Sequence, residues 1–122
     1  MDDSPTFREE LKRALEGQAY KVATANTGED GLKLAASLRP TAILVDSVMP
    51  GIDGATLIRR IRLDAALRRT PCVLLTASEG AGAELKALDA GADAFVRKED
   101  LELIMARLGA VLRSAFNERT KA

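Results

Sequence analysis

The chain has no histidine and no tryptophan, and only one cysteine and one tyrosine in 122 residues. Without histidine, and with a lone thiol, a structural zinc site has almost nothing to build on. The lone cysteine, Cys72, also excludes an internal disulfide. It sits in the run Cys72-Val73-Leu74-Leu75, where a free thiol behaves as a small buried hydrophobe. An excess of one charge is missing too: 18 basic and 18 acidic residues leave a formal charge of zero. Domains that bind nucleic acid normally carry a basic excess or stripe, so no nucleic-acid partner is expected. Arg59, Arg60 and Arg62 lie close together, and read as the solvated face of a helix. No segment approaches the roughly 18 consecutive apolar residues of a membrane span. The opening Met1-Asp2-Asp3-Ser4-Pro5 is not a signal peptide. The expectation is a cytoplasmic chain with no membrane partner. What is present is 47% apolar and 30% charged residues, the balance of a soluble globular protein. The length suits one domain with a real core and is too short for two ordinary ones.

Helix and strand signals alternate. Ser4-Pro5 reads as a helix start, a capping residue before proline at the first helical position. Phe7, Leu11, Ala14 and Leu15 then recur at helical spacing up to Gly17. Tyr20 to Ala25 is short, β-prone and partly alternating, and predicts a strand. Thr27 caps a second helix carrying Leu32, Leu34, Ala35 and Leu38, which Arg39-Pro40 stops. Ala42-Ile43-Leu44-Val45 is continuously apolar and ends on Asp46; a strand apolar on both faces belongs inside a parallel sheet covered by helices. Pro50 to Gly54 reads as a loop, with Asp53 a turn residue and not a ligand. Leu57, Ile58, Ile61 and Leu67 mark a third helix. Cys72 to Leu75 predicts a buried strand ending on Thr76, Glu84 to Ala90 a helix closing at Gly91, and Ala94-Phe95-Val96 a strand followed by Lys98. The last helix is expected from about Asp100 to Asn117, with Leu101, Ile104, Met105, Leu108, Val111, Leu112 and Phe116 at helical spacing. The domain is accordingly expected over residues 1–117, with 118–122 a frayed tail or linker.

Alternating strands and helices imply right-handed crossovers and an open, doubly wound parallel sheet with helices on both faces. Ligands bind such sheets at the carboxyl ends of the strands. Asp46, Thr76 and Lys98 each lie just past an apolar strand, so an acid, a hydroxyl and an ammonium converge on one edge. Asp2 and Asp3 precede the first helix, where an earlier strand would have ended on that same edge. Crowded carboxylates need a cation among them. Lys98 offers one charge and a divalent metal two; magnesium suits a few hard oxygen ligands and retained waters. Carboxylates also act as nucleophiles and form aspartyl phosphate. The chemistry suggested is reversible phosphorylation of a carboxylate, with metal and ammonium stabilising the phosphoryl charge.

The chain resembles the receiver domains of response regulators and hybrid histidine kinases, of flavodoxin-like architecture. The resemblance is carried by Asp2-Asp3, by Leu44-Val45-Asp46-Ser47-Val48-Met49-Pro50-Gly51-Ile52-Asp53-Gly54, by Leu75-Thr76-Ala77, and by Ala90-Gly91-Ala92-Asp93-Ala94-Phe95-Val96-Arg97-Lys98. It extends from Asp2 to about Ser114. It implies that Asp46 is the phosphoacceptor, and that Asp2, Asp3, Asp46 and the Val48 carbonyl hold Mg2+. It implies that Thr76 bonds the phosphoryl group, that Lys98 pairs with it, and that Phe95 is the switch aromatic. Val48 and Ser78 fall where the family tunes self-dephosphorylation. A histidine kinase or histidine phosphotransfer domain would supply the phosphoryl group. The chain would then be a phosphoacceptor and not a conventional enzyme, read through the face formed by its fourth helix, fifth strand and fifth helix. No output domain is visible.

Two departures stand out. The family's first strand should precede the acidic pair, and here only Met1 does. Losing about five buried apolar residues at roughly 1.5–3 kcal/mol each forfeits on the order of 10 kcal/mol, comparable with a whole domain's stability of about 5–15 kcal/mol. Either the sequence is a truncated form, or another segment or chain fills the slot, as in a strand-complemented or swapped homodimer. Secondly, Glu99 follows Lys98 where the family usually has proline, so a trans peptide is expected there. The rival readings are a receiver-like interaction module that works without phosphorylation, an aspartyl phosphatase, and a flavin-binding domain. The phosphatase lacks a second acid after Asp46-Ser47. The flavin reading lacks a phosphate-cradling loop after the first strand, and the chain has no Trp and only one Tyr to stack on the ring.

Overall fold

A computed structural model describes residues 1, 4–47, 51–77 and 81–120, except for the side chains of 81, 83 and 116–120. The order of elements is α1 (Pro5–Gly17), α2 (Gly28–Leu38), β1 (Ile43–Asp46), α3 (Gly54–Leu63), β2 (Cys72–Thr76), α4 (Ala81–Ala90), β3 (Ala94–Arg97) and α5 (Leu101–Thr120). The strands form a parallel sheet in the order β1-β2-β3, with Ile43 opposite Cys72 and Val73 opposite Ala94.

Side-chain alternation along β2 divides the core. Cys72 and Leu74 face a cluster built with Val45, Leu57, Ile58, Ile61 and Ala87, under α2, α3 and α4. Val73 and Leu75 face the opposite cluster, with Leu11, Leu15, Val96, Ile104 and Leu108 of α1, β3 and α5. β2 is therefore buried along its whole length, as a continuously apolar strand between two helical layers must be. Burial pushes the Cys72 thiol up to about 11. At pH 8 only on the order of one thiol in a thousand is then ionised. Iodoacetamide is expected to leave the native protein unlabelled over an hour and to label it fully in urea, as read by intact mass; rapid native labelling would contradict this packing.

Several boundaries differ from the sequence reading. Ser4 stands at the N-cap of α1, but its side chain makes no capping hydrogen bond. Thr27 does cap α2, its Oγ1 accepting from the Asp30 N–H at 3.2 Å. Leu67 lies beyond α3 in a turn, yet is buried. The helix α5 continues to Thr120, so 118–120 are helical where a tail was expected; no Gly or Pro interrupts the run from Ala110 onward. Arg59 and Arg60 are exposed, as a solvated face should be. Arg62 is not: it donates to the carbonyls of Gly91 and Thr70 and to Asp93 Oδ2, tying α3 to the entry of β3. Asp93 Oδ2 also accepts from the Cys72 N–H at 2.8 Å.

The largest correction concerns Tyr20 to Ala25, which form no strand. A strand needs a hydrogen-bonded neighbour, and β1 is the edge of the sheet. Between β1 and residues 20–25 lies a mostly apolar groove of about 650 Å³, lined among others by Leu15, Tyr20, Val22, Leu34, Leu44 and Leu112. Tyr20 to Ala25 and β1 therefore do not pair directly. Met1 occupies one end of the intervening space. Its ammonium donates to the Leu44 carbonyl at 2.8 Å, and its carbonyl accepts from the Asp46 N–H at 3.0 Å. Those two bonds bracket Val45 as one rung of a parallel ladder does.

Candidate functional site

The carboxyl ends of β1 and β2 and the residue after β3 bring the expected groups together. Asp46 ends β1, Thr76 ends β2, and Lys98 follows β3. The Lys98 N–H donates to the Thr76 carbonyl at 2.8 Å, which fixes the lysine backbone to the neighbouring strand. The Lys98 Nζ donates to Asp46 Oδ2 at 3.0 Å. Both groups are withdrawn from water, with 17% of the lysine side chain and 6% of the aspartate side chain exposed. A buried carboxylate is costly unless paired, and the ammonium supplies that pairing. Thr76 is buried at 1% exposure. The Lys98–Glu99 peptide is not cis.

The loop after β1 is pinned at both ends. The Ser47 N–H donates to the Leu75 carbonyl at 2.7 Å, and the Gly54 N–H to the Ser47 carbonyl at 3.1 Å. Asp53 is the N-cap of α3, its Oδ1 accepting from the Thr56 N–H at 2.8 Å. The bonds from Thr56 hold the Asp53 carboxyl below the usual carboxylate range. The cap therefore contributes stability above the unfolded-state pKa, which fades as pH falls through the lower folded value. This agrees with reading Asp53 as a local structural residue.

Phe95 is half-buried and packs against the cluster under α2, α3 and α4. Asp2, Asp3, Val48 and Ser78 lie outside the described residues, as does the side chain of Phe116. Among the described residues no group of acids and thiols large enough to hold a metal is present. Two contributors to the site were not singled out in the sequence. Met1, read only as the residue before the acidic pair, is bonded to the phosphoacceptor candidate's own N–H. Phe7, read as part of the apolar stripe of α1, places its ring 4.5 Å from the Lys98 ammonium. Neither carries a sequence signal of its own, because both roles depend on neighbours brought together by the fold.

The profile of the "Response regulator receiver domain" family matches residues 1–109. The chain belongs to that family. It is 40% identical over 121 residues to the transcriptional regulatory protein AfsQ1 of Streptomyces coelicolor, covering 98% of this chain and 52% of the relative. The chain thus spans about half the length of the curated relatives it matches. A response regulator structure from Chloroflexus aurantiacus superimposes with a TM-score of 0.88 at 32% identity, covering 93% of each chain. The receiver domain of the sensor histidine kinase PA1611 from Pseudomonas aeruginosa gives a TM-score of 0.83 at 26% identity, covering 92% of this chain and 93% of that one; it holds magnesium in its active-site cleft. The flavodoxin-like receiver fold is thereby established, as an open parallel sheet flanked by helices. No helix among the described residues of this receiver domain is long and apolar enough to cross a membrane.

Proposed function

We propose that Asp46 is the phosphoacceptor of this receiver domain. The observation that carries the proposal is the buried Asp46 carboxylate, ion-paired with Lys98 at the strand ends. In the step proposed, an Asp46 carboxylate oxygen attacks phosphorus. A P–O bond forms as the P–N bond of a phosphohistidine breaks, and the imidazole of a histidine kinase or phosphotransfer domain leaves. Lys98 exchanges its carboxylate partner for a phosphoryl oxygen, and the Thr76 hydroxyl donates to another. The half-buried Phe95 then repacks as Thr76 shifts, altering the α4–β3–α5 surface. The protein is a consumed and regenerated carrier and not a turnover enzyme.

Magnesium fits this donor set. Asp46 is a hard oxygen ligand, and Met1 is hydrogen-bonded to it immediately before Asp2 and Asp3. Asp2, Asp3, Asp46 and the Val48 carbonyl would hold the ion, which when bound neutralises charge on the transferring group. Val48 and Ser78 would tune loss of the phosphoryl group, and the cytoplasm is the compartment of such a relay.

The test is intact-protein mass after incubation with acetyl phosphate and magnesium. One phosphoryl adduct is expected, absent without magnesium and absent in Asp46→Asn. The second reading, an interaction module that works without phosphorylation, is favoured by the open groove beside β1. It would be upheld by folded protein that takes no adduct.

A further inference from the structure

We propose that Phe7 is a positioning residue for Lys98, holding the ammonium by its ring face at the point where the phosphoryl charge develops. Lysine is a point charge on a flexible four-carbon stem, so its placement depends on what surrounds the head. Here the Nζ has the Asp46 carboxylate at 3.0 Å and the Phe7 ring centroid at 4.5 Å. The ring is itself fixed. Phe7 lies in the first turn of α1 and packs against the buried cluster that includes Leu11, Val96 and Ile104. An aromatic face attracts a cation electrostatically within about 6 Å of the centroid. The ring carries no net charge, so it orients the ammonium without itself neutralising it. Phe7 thus ties α1 to the lysine after β3.

This role rests on the reading of Asp46 as phosphoacceptor, and the experiment separates the two. Wild type, Phe7→Leu and Phe7→Tyr are compared for the initial rate of adduct formation with acetyl phosphate and magnesium. Magnesium half-saturation is followed by amide NMR, along with the chemical shift of the Lys98 ε-methylene protons. Leucine retains apolar bulk but has no ring face; tyrosine retains the face. Phe7→Leu is expected to slow adduct formation about three- to ten-fold, to leave magnesium half-saturation unchanged, and to abolish the upfield ring-current shift of the Lys98 ε protons. Phe7→Tyr is expected to restore both rate and shift. The proposal is overturned by equal rates for leucine and wild type, by a rate loss that tyrosine does not rescue, or by a loss that follows magnesium affinity. An ordinary ε-proton shift in the wild type overturns it without any variant, should Phe7→Leu fail to fold. A wild type that takes no adduct overturns the phosphoacceptor reading and this role together.

Discussion

Gly54→Ala is expected to destabilise the protein by about 3 kcal/mol and to reduce the phosphorylation proposed for Asp46 in whatever fraction remains folded. A Cβ built at Gly54 would lie 2.4 Å from the Asp46 carbonyl oxygen, 2.7 Å from a Leu74 methyl carbon and 2.9 Å from the Ser47 Cα. Of these neighbours only the leucine methyl can turn aside. The other two are backbone, at the end of β1 and in the turn that closes on Gly54 through the Ser47 carbonyl. Relief therefore requires α3 to lift from β1. That helix brings Leu57, Ile58 and Ile61 into the core, all fully buried, and a shifted helix leaves gaps around each of them. The same displacement moves the Asp46 backbone relative to Lys98, whose own backbone is fixed separately through Thr76. Chemical denaturation and the acetyl phosphate reaction would measure the two effects. A variant with an unchanged denaturation midpoint and an unchanged rate would show that the close approach is not as tight as described.

How much of this was legible in the sequence depends on whether a residue acts through local pattern or through assembly. Ile43 to Asp46 and Cys72 to Thr76 were readable because continuous apolar runs of that length have few uses other than a doubly covered strand. The Asp46, Thr76 and Lys98 set was readable because each sits just past such a run. Asp53 was readable as a turn residue from the glycine after it, and proved to be a helix cap. Tyr20 to Ala25 misled because β-propensity describes what a segment can do beside a neighbour, and the neighbour's place is a groove. Arg62 misled because its charge suggested solvent, whereas its guanidinium satisfies carbonyls at the foot of the sheet. Met1 and Phe7 had no pattern to betray them: one forms a rung beside Val45, the other covers an ammonium 91 positions away in the chain.

Joining five apolar, β-branched-rich residues to the amino group of Met1 is expected to stabilise the domain by about 3 kcal/mol. Met1 already pairs with β1 in parallel register, so residues placed before it would run antiparallel to nothing and parallel to Ile43 and Leu44, down the groove. Alternation would send their side chains in turn to the two clusters that β1 separates. Burial of five such side chains contributes roughly 7–15 kcal/mol, and ordering five backbones costs about 5–10 kcal/mol. The difference is small but favourable, and ladder hydrogen bonds add to it. Covalent attachment matters, because a free peptide would also lose its translational freedom on binding. The change should appear in three places: a higher denaturant midpoint, amide-exchange protection at Leu44, and new protection in residues 20–25 as they gain a strand to pair with. The same extension with alternate positions changed to lysine should lose the gain, since it would carry charge into one of the clusters. An unchanged midpoint with no new protection at residues 20–25 would mean that the groove is not a strand-shaped space. Met1 would then mark a local contact, not the end of a ladder.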